Sequence, residues 1–167
     1  MPHEVSALLF VGFILWLLVR DARQRGPVSP ALWLPTVWVM ILGSRPISLW
    51  FGGALSMESP DEYLKGSPFD MAVFLAQIIL GGWVLSRRRV NWARLISLNN
   101  ALTIFLLYWA LSVAWSDYPF VSFKRWIKDL GNLVMVLIIM SDADPARAAK
   151  IVFARCTYVL IPLSVLF

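Results

Sequence analysis

The stretch 115–140, "WSDYPFVSFKRWIKDLGNLVMVLIIM", decides the fold. Its first seventeen residues hold three basic, two acidic and five aromatic side chains, and nine apolar or neutral residues follow them. At 100° per residue, Phe120, Phe123, Trp126, Ile127 and Leu130 share an arc of about 120°, while Ser122, Lys124, Arg125, Lys128 and Asp129 take the other side. Asp117 is placed to cap the start, and Pro119 suits a first turn. The apolar part, residues 130–140, measures about 16 Å at 1.5 Å per residue. That is too short for about 30 Å of hydrocarbon. The spacing therefore predicts that a crossing over 123–140 begins inside the amphipathic segment. Lys124, Arg125 and Lys128 then fall in or just below a headgroup layer, with Lys128 and Asp129 facing protein or water.

The rest of the chain supports a membrane setting. Of 167 residues, 59% are hydrophobic and only 15% charged, against about 25% charged in soluble domains. Mean hydropathy is +0.71. Apolar runs predict helices at about 4–20, 31–50, 69–86, 97–115, 123–140 and 150–167, with "SRPIS" at 44–48 interrupting the second. The expected fold is an all-α integral membrane bundle of about six helices, the last truncated, forming one transmembrane domain over 1–167. Polar loops separate the runs, and Pro60 and Pro68 break the loop at 56–70. The glycine pairs at 52–53 and 81–82 are read as loop or helix-end residues, with close helix approach as the rival.

Charge sets the orientation. Arg20, Arg23, Arg25, Arg87, Arg88, Arg89, Arg94, Arg147, Lys150 and Arg155 lie on one side of this topology, and Arg45, Lys65, Lys124, Arg125 and Lys128 on the other. The richer side is assigned to the cytoplasm, which puts the N-terminus and the loops at 56–68 and 116–125 outside. Glu4 before the first run and arginines after it also argue against a signal peptide. The net charge of +5 is thus a topology signal rather than a nucleic-acid one.

Familiar catalytic chemistry is missing from the sequence. The single cysteine, Cys156, lies in an apolar run and has no partner for an intramolecular disulfide, and His3 stands at the terminus. No phosphate-cradling glycine loop, nucleophile elbow or metal-ligand spacing occurs, so no metal and no cofactor is expected. One basic residue does not fit topology signalling. Arg45 lies about 21 Å along the second run, toward the outer side. An arginine at a helix centre costs about 2.5–3.5 kcal/mol to insert, and such residues mark substrate paths. With Lys124, Arg125 and Lys128 it suggests a cationic patch suited to the phosphate of a lipid.

Several segments resemble one family. "YWALSVAWSDYPFVSFKRWIKDLGNLVMVLI" (108–138), with its Ser-x-x-Trp-Ser-x-x-Pro element and basic-aromatic continuation, is similar to the N-terminal half of the O-antigen ligase and O-antigen polymerase family of bacterial inner-membrane proteins. "LWLPTVWVMILGSRPISLW" (32–50), "YLKGSPFD" (63–70) and "DPARAAKIVFARC" (144–156) look like its exopolysaccharide-associated subgroup. The resemblance implies transfer of glycan from undecaprenyl diphosphate at the periplasmic face, without metal or nucleotide sugar. Family members are expected to carry further helices and a large periplasmic loop with arginines and a histidine. Those positions fall beyond Phe167, so the chain reads as an N-terminal fragment and no catalytic residue carries over. Arg45 matches the family's Ser-Arg-Pro element, and Lys124, Arg125 and Lys128 match its basic stretch. Expected partners are the lipid-linked glycan and membrane lipid. A non-catalytic scaffold or remnant is the rival reading, and a small transporter a weaker one, since only 44–46 hints at a broken helix.

Overall fold

The structure, a computed structural model, describes residues 3–25, 29–44, 47–50, 67–88 and 90–166. Arg45, Pro46, Lys65 and the glycine pair at 52–53 lie outside these. Among the described residues there is helix and turn but no strand, so the all-α expectation holds. The helices are α1 (His3–Arg25), α2 (Trp33–Gly43), α3 (Ile47–Trp50), α4 (Pro68–Arg87), α5 (Trp92–Leu98), α6 (Asn100–Ser112), α7 (Pro119–Met140) and α8 (Pro145–Leu166). Short 3₁₀ turns at Pro30–Leu32 and Val113–Trp115 precede α2 and follow α6.

The six expected spans are met only in part. Among the described residues one helix, α4, is long and apolar enough to cross a membrane, with 20 residues and a mean hydropathy of 1.7. Residues 30–43 and 100–115 form shorter apolar helices. The expected helix over 31–50 ends at Gly43, and Ser44 takes an extended backbone with φ −119° and ψ −159°. The local reason is in the sequence: a residue before proline is driven out of the α region, so helices tend to stop ahead of an X-Pro pair. The expected helix over 97–115 is likewise subdivided. Asn99 holds φ −125° and ψ 45° and receives Thr103 N–H on its carbonyl, while its side-chain amide donates to Leu95 O at 3.0 Å. The basic loop before it contains α5, a helix the apolar pattern did not predict.

The chain forms two compact units, Met1–Pro46 with Ile138–Phe167, and Ile47–Leu137. In the first, α8 packs against both α1 and α2. Leu32 meets Ala148, Ile151, Val152 and Cys156, which recur at helical spacing along α8, and Val39, Met40, Ile139 and Leu160 extend the contact. Thr36 is fully buried. Its hydroxyl donates to Leu32 O at 2.8 Å, and its carbonyl accepts from Cys156 Sγ at 3.8 Å. Gly43 lets the helices approach, because a Cβ there would stand 3.2 Å from Leu160 Cδ1.

In the second unit, Ser67 caps α4 by accepting from Phe69 N at 3.3 Å, with Pro68 in the first turn and Arg87 in the last. Asp70 joins α3 to this start: Ser48 N–H donates to Oδ1 at 2.9 Å and Ser48 Oγ to Oδ2 at 2.8 Å. The buried residues of α4 are Gln77, Gly81 and Leu85, one turn apart on a single face. Gly82 has nothing within 4 Å of a built Cβ, so it is no site of close approach. α6 buries none of its residues.

Candidate functional site: the basic start of α7

The helix predicted from Pro119 is observed as one continuous element of 22 residues to Met140. Its start is organised differently from expectation. Ser116 rather than Asp117 makes the local bonds: Ser116 Oγ accepts from Tyr118 N at 3.3 Å and pairs with Ser122 Oγ at 2.7 Å, while Ser122 N donates to Tyr118 O. A small hydroxyl at this position folds back on the first turn, which leaves the Asp117 carboxylate exposed.

Lys124 and Lys128 lie one turn apart, so they share a side of α7, with Arg125 beside them. Lys124 is half-buried, and its Nζ sits 4.5 Å from the centre of the Phe120 ring. Lys128 Nζ sits 5.1 Å from the Phe74 ring of α4, and Arg125 is exposed. Such cation–ring contacts contribute about 0.5–1 kcal/mol at exposed sites. They restrain the ammonium groups. Trp126 fixes the helix from the opposite direction, donating its indole N–H to Leu106 O of α6 at 3.2 Å. Asp129 is engaged locally, accepting from Asn132 Nδ2 at 3.0 Å. The structure thus brings three of the four expected phosphate-binding residues onto one helical segment. Arg45 lies outside the described residues.

The surroundings are rich in exposed aromatic surface. Tyr108, Trp115, Tyr118, Phe120 and Phe123 are all exposed, and the Tyr108 and Trp115 rings stand 6.3 Å apart. Three of these rings, Tyr108, Trp115 and Tyr118, belong to the residue types that are enriched at membrane–water interfaces.

Two features escaped the sequence reading. Arg155, counted with the cytoplasmic basic residues, is buried in the first unit with its guanidinium 4.3 Å from the Trp33 ring centre. Asp21 is buried in the same unit. The signal was an arginine four residues inside an apolar run, the same signal that singled out Arg45. Gln77 is the second: it lies midway along α4, 7% exposed, with its Oε1 buried and without a hydrogen-bond partner. The cleft at the α7–α8 turn, lined in part by Asp142, Asp144 and Arg147, encloses about 140 Å³. That is below the 300–1,000 Å³ range, roughly, of ligand pockets, and Asp144 already caps α8 through Arg147 N at 3.0 Å. No family model matches the chain, and comparison with curated proteins and with solved structures finds no match.

Proposed function

We propose that this chain is the N-terminal part of a multi-pass inner-membrane glycan ligase or polymerase, with its N-terminus in the periplasm. In this reading it engages an undecaprenyl-diphosphate-linked saccharide at the outer face during O-antigen or exopolysaccharide assembly. The observation that carries the proposal is the start of α7, where Lys124, Arg125 and Lys128 cluster among exposed aromatic rings at one end of a helix 22 residues long. The resemblance of 108–138 to the O-antigen ligase and polymerase family points the same way.

The chemistry assigned to this segment is binding. Two ammonium groups provide positive charge for a diphosphate, and the Arg125 guanidinium offers a planar fork for two of its oxygens. The isoprenoid tail then lies on apolar surface next to the rings. Six crossings require α1, α7 and α8 to enter the bilayer with their charges at or near its faces. Their lengths of 23, 22 and 22 residues suit that, since about 20 residues cross the hydrocarbon.

The test is binding by the chain in nanodiscs. Undecaprenyl diphosphate is expected to bind at least about tenfold more tightly than undecaprenol, consistent with about 1.5–3 kcal/mol for each bond to a charged group. Arg125→Ala and Lys128→Ala should each remove most of that difference. Equal affinity for the alcohol and the diphosphate would end the reading.

A further inference from the structure

Two helices, one in each unit, end in the same device. In α1 the Arg20 guanidinium carbon lies 5.4 Å from the Trp16 ring centre, and in α4 the Arg87 guanidinium carbon lies 5.0 Å from that of Trp83. Both pairs have tryptophan four residues before arginine, the spacing that stacks side chains on one helix face. Both indoles are outward, with Trp16 54% and Trp83 57% exposed. In each helix the pair closes the apolar part, and more basic residues follow at once, Arg23 in α1 and Arg88 after α4.

Among the described residues neither Arg20 nor Arg87 has an acidic partner. A guanidinium engages a ring through its face, while its five N–H donors lie in its plane and stay available for an acceptor. Stacking therefore restricts the side chain without using its hydrogen bonds. The helix C-terminus adds to the local preference for a cation. A charge that is held, exposed and unneutralised, beside a half-exposed indole at the end of an apolar helix, fits an anion that itself lies at a bilayer surface. Arg155 over Trp33 is the internal counterpart: the same pairing at 4.3 Å, but 8% exposed and so closed to lipid.

We propose that the Trp16–Arg20 and Trp83–Arg87 pairs are seats for anionic phospholipid headgroups, each taking the phosphate of a lipid whose chains lie along its own helix. Each seat acts by itself. The inference rests on α4 crossing the membrane and on α1 entering it, as proposed above, but not on the saccharide-carrier reading, which concerns other residues.

The experiment uses the full chain in nanodiscs of mixed phosphatidylcholine and phosphatidylglycerol, with lipids retained on the protein counted by native mass spectrometry. Basic residues near a charged bilayer surface contribute about 1 kcal/mol each, so phosphatidylglycerol should be retained about fivefold over phosphatidylcholine for each seat. R20Q/R87Q, at exposed positions, should lower the preference by about fivefold for each seat, with helicity by circular dichroism unchanged and a smaller residual preference set by the remaining basic residues. R20K/R87K, which keeps charge but loses the fork, should fall between. Excess inorganic phosphate should leave the preference in place; its loss would reassign the seats to a soluble anion and overturn the proposal. Wild-type protein without preference, or a preference that R20Q/R87Q leaves undiminished, also overturns it. Carbonate extraction separates the two readings: a chain that stays in the membrane fraction but shows no preference sinks this inference alone, and a chain that is released sinks the membrane reading as well.

Discussion

Asp70 makes two hydrogen bonds to one residue, Ser48, and this pair has a measurable consequence. Bonds to a charged acceptor contribute about 1.5–3 kcal/mol. Asp70→Asn should therefore destabilise the second unit by about that amount, and Ser48→Ala by less, since the backbone N–H bond remains. A double-mutant cycle on denaturant unfolding should return a coupling of at least about 0.5 kcal/mol; additive effects would show the pair to be idle. Cys156 is 4% exposed, so a maleimide should add its mass slowly to the folded chain and rapidly in denaturant. The sequence placed this cysteine in an apolar run, but the run alone does not say which of its residues are covered: Phe153 and Ile161 of the same run are exposed. Nor was the place of Arg155 legible. Its charge was added to a topology tally, and nothing in a one-dimensional pattern says that Trp33, more than a hundred positions away, supplies a ring to cover it.

Among the elements, α7 was the most legible. Its amphipathic start and apolar end overlap without a breaker, and a single continuous helix results. The interruption of the second apolar run was also legible from the Ser-Arg-Pro sequence, since proline restricts the residue before it. α5 was missed because seven residues, Trp92–Leu98, are too few to show periodicity in a basic segment. Capping at Ser116 rather than Asp117 was missed because serine and aspartate are nearly equivalent caps, and local geometry chooses between them. Two substitutions test the packing. Gly43→Leu should cost about 1–3 kcal/mol by driving α2 away from Leu160, and Leu160→Ala in the same chain should recover part of it. Gly82→Ala, with open space around it, should be neutral or stabilise α4 by up to about 1 kcal/mol. Trp126→Phe keeps the ring but deletes the donor to Leu106 O, and should loosen α7 from α6 by about 0.5–1.5 kcal/mol. Hydrogen exchange at the amides of α6 would report it.

For the molecule as a whole, the orientation derived from charge makes a sharp prediction. In a Cys156→Ala background, a membrane-impermeant maleimide applied to intact spheroplasts should label Ser116→Cys but reach Ser29→Cys only after permeabilisation. Labelling of both, or of Ser29→Cys alone, would overturn the proposed six-crossing arrangement or its orientation. The first unit adds a consequence in time rather than space. It is assembled from the two extremes of the chain, Met1–Pro46 and Ile138–Phe167, and Thr36 meets Cys156 across 120 positions of sequence. At a synthesis rate of roughly 5–20 residues per second, α2 leaves the ribosome roughly 6–24 seconds before its partner helix exists. During that interval Leu32 and Thr36, buried in the finished protein, lack the α8 residues that they meet there. A ribosome stalled ahead of Pro145 would hold the chain in that half-built state.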